Sequence, residues 1–148
     1  MFLMHPRLEA DSVVMGDFPL SRLLLMNDSR YPWFILVPRR TGITEIYQLE
    51  ERDQQQLQRE SVALGQGIMS VFGGDKLNVA ALGNLVSQLH IHHIVRYRDD
   101  ATWPGPVWGV GASVPYSAEQ LAAIREKVLN SGLLPELRPS GWTTLDRS

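Results

Sequence analysis

The first forty residues alternate short apolar runs with turn formers. "SVVM" at 12–15, "LSRLLLMN" at 20–27 and "WFILVPR" at 33–39 are separated by "GDFP" and "DSRYP". Gly, Pro, Asp and Ser favour turns, so this spacing predicts three strands in an antiparallel meander. The period then changes. In "EERDQQQLQRESVALGQGIMSVFGG", Leu57, Leu64, Ile68 and Val71 share one helical face, charges and glutamines take the rest, and Gly73-Gly74 supplies a stop. That predicts a helix from about 51 to 72.

Downstream, "DKLNVAAL" and "SQLHIHHIVRY" read as two more strands joined around Gly83-Asn84, a dipeptide suited to a tight turn. A last helix is predicted from Ser117, where "SAEQ" has the form of a capping box with Gln120 at its third position. Leu121, Ile124 and Val128 follow at helical spacing, and Gly132 marks the stop. Between these segments "RYRDDATWPGPVWGVGASVP" is rich in Gly and Pro and reads as a loop or cover, while the tail "LLPELRPSGWTTLDRS" has no clear period. Strands followed by segregated helices imply the α+β class, with an antiparallel sheet of about five strands, a long helix and a C-terminal helix. One domain is expected over 1–148, its core at about 12–96 and its loop and last helix at 97–148.

Composition narrows the function classes. At 148 residues the chain can bury roughly two thirds of its unfolded surface without staples. The absence of cysteine excludes a disulfide framework, thiolate metal sites and a thiol nucleophile. It fits a reducing compartment, so a cytoplasmic location is expected. The start, "MFLMHPRLEADSVVM", is interrupted by His5, Pro6 and Arg7, and no run approaches the ~20 apolar residues of a membrane span. A net charge of −2 argues against a broad phosphate-binding surface and hence against long nucleic acid as a partner; a small anion in a local pocket fits better.

The candidate chemistry lies in "QLHIHHIVR", residues 88–96, which holds three of the four histidines. On a strand, alternation would put Gln88, His90 and His92 on one face, and Leu89, Ile91 and His93 on the other. Isolated histidines are usually structural. Two imidazoles at i and i+2, about 6.6 to 6.8 Å apart along a strand, with Gln88 beside them, are costly to bury without purpose. For His93 the structural or solvent-exposed reading stands. A metal site is one alternative, because His-x-His presents two nitrogens to one ion, but only His5 remains and any further ligands would have to be carboxylates. Nucleophilic catalysis is the other. A neutral imidazole, with a pKa near 6.5, attacks phosphorus well and later leaves well.

This segment resembles the histidine-triad (HIT) family, whose signature is His-φ-His-φ-His-φ-φ on a strand, with φ apolar. "GNLVSQLHIHHIVR" looks like the family's Gly-Gln-x-Val-x-His-φ-His-φ-His-φ-φ-x-Arg type of segment, with Gly83, Val86 and Arg96 in register. The opening "SVVMGDFPLSRLLLMNDSRYPWFILVPRR" is similar to the family's three-strand start, including Asn27 at the end of the second strand. The resemblance covers about residues 12–96. Gln88 then stands at the first triad position, His90 at the middle and His92 at the last. The other register, with His90 and His92 first and middle and Ile94 last, would displace Gly83, Val86 and Arg96. Two further departures are His93 in place of an apolar residue, and "YPW" where the family has Pro-Gly-His before the third strand.

The resemblance implies a nucleotide hydrolase or nucleotidyltransferase. His90 would attack the α-phosphorus of a nucleoside phosphate conjugate, of dinucleoside polyphosphate or phosphoramidate type, and His92 would hydrogen-bond the phosphate or the departing group. Gln88 would offer a hydrogen bond to phosphate and a carbonyl to orient His90, without supplying a proton. Asn27 looks like the family's ribose-holding residue, with a plain turn asparagine as the alternative. Asn78 lies one residue nearer the triad than the corresponding phosphate-contacting amide, and Asn84 stands where the family often has glutamine. Arg96 and Arg98 would add positive potential or simply be solvated. A symmetric homodimer and a small-molecule nucleotide partner are implied. No cofactor is required by the sequence, and a divalent cation would accompany only a polyphosphate substrate. Trp103, Trp108 and Trp142 read as packing residues, with the base pocket or dimer seam as the alternative. The alternative function is a weakly active or non-catalytic nucleotide-binding module.

Overall fold

The computed structural model describes residues 1–140; Trp142 lies outside the described residues. The meander is present as β1 (Ser12–Asp17), β2 (Ser21–Met26) and β3 (Trp33–Pro38), each antiparallel to the next. α2 (Glu51–Phe72) follows a short helix α1 (Pro6–Asp11), and then come β4 (Lys76–Ala80) and β5 (Ile91–Arg96). α3 (Ala118–Leu129) and a two-residue β6 (Arg138–Pro139) complete a six-stranded sheet of order β4-β5-β3-β2-β1-β6.

The local signals explain the two long helices. Gly73 closes α2 at φ 60°, the left-handed conformation that glycine adopts without penalty. Ser117 accepts the Gln120 N–H and the Gln120 side chain accepts the Ser117 N–H, the reciprocal cap expected of "SAEQ". α1 had no periodic signal. Pro6 starts it, the His5 ring caps it, and only Leu8 is buried.

Both faces of the sheet are covered. One packs Phe34, Leu36 and Val95 against Leu57, Leu64 and Ile68 of α2, with Leu121 and Val128 of α3 and Leu134 and Leu137 of the tail. Leu134 and Leu137 therefore belong to the core although their stretch has no period. The other face packs Trp33, Ile35 and Ile94 against Leu8, Val86 and Val107. β5 divides the histidines between these layers, since His92 pairs with Ile35 and His93 with Phe34.

One expectation is corrected here. No tight turn at Gly83-Asn84 joins β4 to β5; residues 81–90 form an irregular connection, and β5 starts only at Ile91. The chain leaves the sheet at this point because Leu89 N–H bonds the Ile43 carbonyl instead of β3. Gln88 and His90 thus precede the strand, and strand alternation does not set the directions of their side chains.

Candidate active site

His90 and His92 meet all the same. Their ring centroids lie 4.9 Å apart, edge to face, and both line a cavity of about 350 Å³ with Leu8, Met26, Trp33, Asn84 and Trp108. Each is nearly buried, at 7% and 5% exposure.

Their hydrogen-bond partners assign opposite tautomers. Nδ1 of His90 lies 2.7 Å from the Gln88 carbonyl, which can only accept, so the neutral His90 ring carries its proton on Nδ1 and has its lone pair on Nε2. Nδ1 of His92 receives the indole N–H of Trp33 at 2.9 Å. Trp33 can only donate, so neutral His92 carries its proton on Nε2. Burial, reinforced by His90 and His93, pushes the His92 pKa down to about 3. In their neutral forms the two rings therefore carry an unprotonated Nε2 on His90 and an Nε2–H on His92.

His93 has a different role. It is fully buried on the α2 side, where its Nδ1 donates to the Ile91 carbonyl at 3.1 Å and its Nε2 pairs with the Ser61 hydroxyl at 2.7 Å. Burial holds its pKa down to about 4. This is the structural histidine.

Gln88 contributes its carbonyl to His90, but its side chain turns to the N-terminal segment, donating to the Leu3 carbonyl and accepting from His5 N–H. Asn84 stands exposed at the cavity mouth. Asn27 borders an adjoining cavity of about 380 Å³ that shares the Trp33 and Trp108 walls, and its Oδ1 accepts Tyr116 N–H. Asn78 is not brought to either cavity; its Oδ1 accepts from Arg96.

Arg96 is neither a free charge near phosphate nor a solvated one. It is 1% exposed and bonds both oxygens of Asp100 as well as Thr102 and the Gly105 carbonyl. Burial pushes the Asp100 carboxyl up, but Arg96 and the backbone N–H groups of Tyr97, Thr102 and Trp103 outweigh it and bring the pKa to about 2. Trp103 lies under the same guanidinium at 5.7 Å.

Trp108 reaches the site through an anchored loop. Asp28 accepts from Arg30 and from Val114 N–H, and Arg30 also donates to the Val110 carbonyl. Burial raises the Asp28 pKa, yet these bonds leave it below the usual carboxylate value. The Trp108 ring lies 5.1 Å from His92 and 5.9 Å from Trp33, edge-on to both. The contribution of Trp33 went unread in the sequence, although its departure from Pro-Gly-His was the available signal. Arg7 and Asp11, also on the cavity wall, had no signal because α1 had none. Among the described residues no group of three or more His, Asp or Glu side chains could hold a metal ion, and no helix is long and apolar enough to cross a membrane.

Solved structures share this fold. A histidine triad protein from Marinobacter aquaeolei VT8 is 55% identical, with 93% of this chain and 99% of that chain covered and a TM-score of 0.89. A histidine triad (HIT) protein from Sinorhizobium meliloti 1021 is 40% identical, over 88% of this chain and 96% of that one, with a TM-score of 0.86. A histidine triad protein from Bradyrhizobium japonicum is 42% identical, over 87% and 96%, with a TM-score of 0.85. Among curated proteins none matches. The model of the HIT domain matches residues 7–99, most of the chain, and with these three structures it places the chain in the histidine-triad (HIT) family.

Proposed function

We propose that the chain is a HIT-type nucleotide hydrolase or nucleotidyltransferase acting through a nucleotidyl-His90 intermediate. The observation that carries this is the opposed tautomer pair, an unprotonated Nε2 on neutral His90 and an Nε2–H on His92, on rings 4.9 Å apart that line one cavity. His90 Nε2 forms a bond to the α-phosphorus, and the bond from phosphorus to the leaving group breaks, its electron pair leaving with that group. Positive charge developing on the His90 ring is shared with the Gln88 carbonyl through Nδ1–H. His92 donates to a phosphate oxygen or to the departing atom. Water or another acceptor then attacks phosphorus and returns the electron pair to Nε2.

In this reading Asn27 and Asn84 contact the nucleotide, and a dinucleoside polyphosphate would carry any divalent cation on its own phosphates. Two copies associate in the cytoplasm as a homodimer. The position of β4 at the end of the sheet, with Val79 half exposed, supports an edge pairing; sedimentation of the purified chain tests it.

Intact-protein mass spectrometry after acid-free quenching, across adenosine and guanosine conjugates, tests the central step. The expected result is a nucleoside monophosphate adduct on the wild type and none on His90→Ala. One observation favours the alternative, a weakly active nucleotide-binding module: the Gln88 amide is engaged by the N-terminal segment, so the first triad position supplies no proton. Nucleotide binding with neither adduct nor released monophosphate in a single turnover would favour that module.

A further inference from the structure

The N-terminal segment contacts the active-site loop through one side chain. His5 N–H donates to Gln88 Oε1, and Gln88 Nε2–H donates to the Leu3 carbonyl, each at 2.8 Å. The amide thus pairs with the segment as a peptide unit of a neighbouring strand would, its donor and acceptor side by side in one plane. The peptide group from Gln88 to Leu89 is itself held at both ends. Leu89 N–H donates to the Ile43 carbonyl at 3.0 Å, and the Gln88 carbonyl receives His90 Nδ1–H at 2.7 Å. A peptide unit is planar, so fixing its N–H aims its C=O. The His5 ring also accepts from Arg7 N–H at the start of α1, so the same contact joins the α1 wall of the cavity to the loop that carries His90.

We propose that Gln88 is a positioning residue that holds His90 by clipping the N-terminal segment, and that an amide occupies the first triad position because the clip needs a donor beside an acceptor. A carboxylate would keep the bond from His5 N–H but turn an oxygen on the Leu3 carbonyl. An imidazole has a donor and an acceptor, but they diverge across the ring and cannot close both bonds. Without the clip the Gln88–Leu89 peptide is held by the Ile43 bond alone, and the aim of its carbonyl at His90 loosens. His90 then loses the acceptor that keeps its proton on Nδ1, and part of the population becomes Nε2-protonated and unable to attack.

The kinetic half of this proposal rests on the nucleotidyl-transfer reading; the tautomer half does not. Gln88→Glu, Gln88→Leu and Gln88→His in the full chain are compared with wild type by ¹⁵N spectra of the His90 ring and by turnover of the conjugate that labels wild type. Each variant is expected to show a mixed His90 tautomer. Each should also lose about tenfold or more in kcat with a smaller change in KM, since a misplacement of 1 Å can cost about 100-fold. His5→Pro removes the clip's N–H from the other side at a φ of −58° that suits proline, and is expected to give the same tautomer mixture with residue 88 intact. An unchanged His90 tautomer in Gln88→Leu and His5→Pro would overturn the proposal. So would a Gln88→His variant faster than wild type, which would make this a proton-donor position. If wild type labels with no conjugate, the mechanism fails on the mass spectra while the spectra of His90 still decide the clip.

Discussion

Trp33 donates its indole N–H to Nδ1 of His92 across 2.9 Å, at a strand position paired directly with Ile94 of β5. An indole nitrogen cannot accept a hydrogen bond, so this contact permits one neutral tautomer of His92. Trp33→Phe keeps a ring at the position and leaves a buried acceptor without its donor. The expected outcome is a mixture of His92 tautomers in ¹⁵N spectra and a stability loss of about 1–3 kcal/mol in urea unfolding. A single unchanged tautomer would mean that the indole does not select it.

The two buried imidazoles make stability depend on pH in a defined window. His92 and His93 are pushed down to about 3 and about 4 from the ordinary 6.5, so unfolding takes up protons. Their stabilising contribution is fully present above pH 6.5 and is lost as pH falls from there toward 4 and then 3. Near pH 5 the slope they impose approaches two protons, about 2.7 kcal/mol per pH unit. Urea unfolding at pH 7, 6 and 5 should show the decline, with His93→Leu shallower by close to one proton. Parallel declines would show that folded His93 keeps its proton in this range.

Arg96 and Asp100 form a buried pair, with side chains 1% and 3% exposed. Asp100→Ala strands a guanidinium in the interior, and removing one partner of such a pair costs about 3–5 kcal/mol. Replacing both, as Arg96→Met with Asp100→Leu, should cost less than Asp100→Ala alone, which a double-mutant comparison by urea unfolding measures. The carboxyl sits at about 2 against its ordinary 3.8, so its share of stability is lost only below about pH 4, after most of the histidine decline and overlapping only its His92 end.

The elements legible in the sequence were those whose signal is local. The meander showed as apolar runs between turn residues, α2 as a period ending at Gly73, and α3 as the reciprocal pair Ser117 and Gln120. What escaped depends on distant partners. "SQLHIHHIVRY" alternates like a strand from its first residue, but Ile43 takes the Leu89 N–H and delays β5 to Ile91. Arg96 reads as a solvated charge beside "RDD", and only the folded loop brings Asp100, Thr102 and Gly105 around it. The triad pair itself was visible in the residues. Its tautomers were not, because Trp33 lies 59 positions from His92.

Trp108 is part of the wall shared by the two cavities, held there by Arg30 and Asp28 through the backbone of Val110 and Val114. Its ring touches His92 edge-on, so its other surfaces are available to a base. Stacking of a base on an aromatic ring is worth about 1–3 kcal/mol, and 1.4 kcal/mol is about tenfold in an equilibrium constant. Trp108→Ala is therefore expected to raise KM about tenfold with a smaller effect on kcat, because His90 and His92 keep their own hydrogen-bond partners. Nucleotide should quench the fluorescence of wild type more than that of Trp108→Phe. Equal quenching together with an unchanged KM would mean that the base does not lie against Trp108, and would assign base recognition to other apolar residues of the cavity such as Leu8 and Leu85.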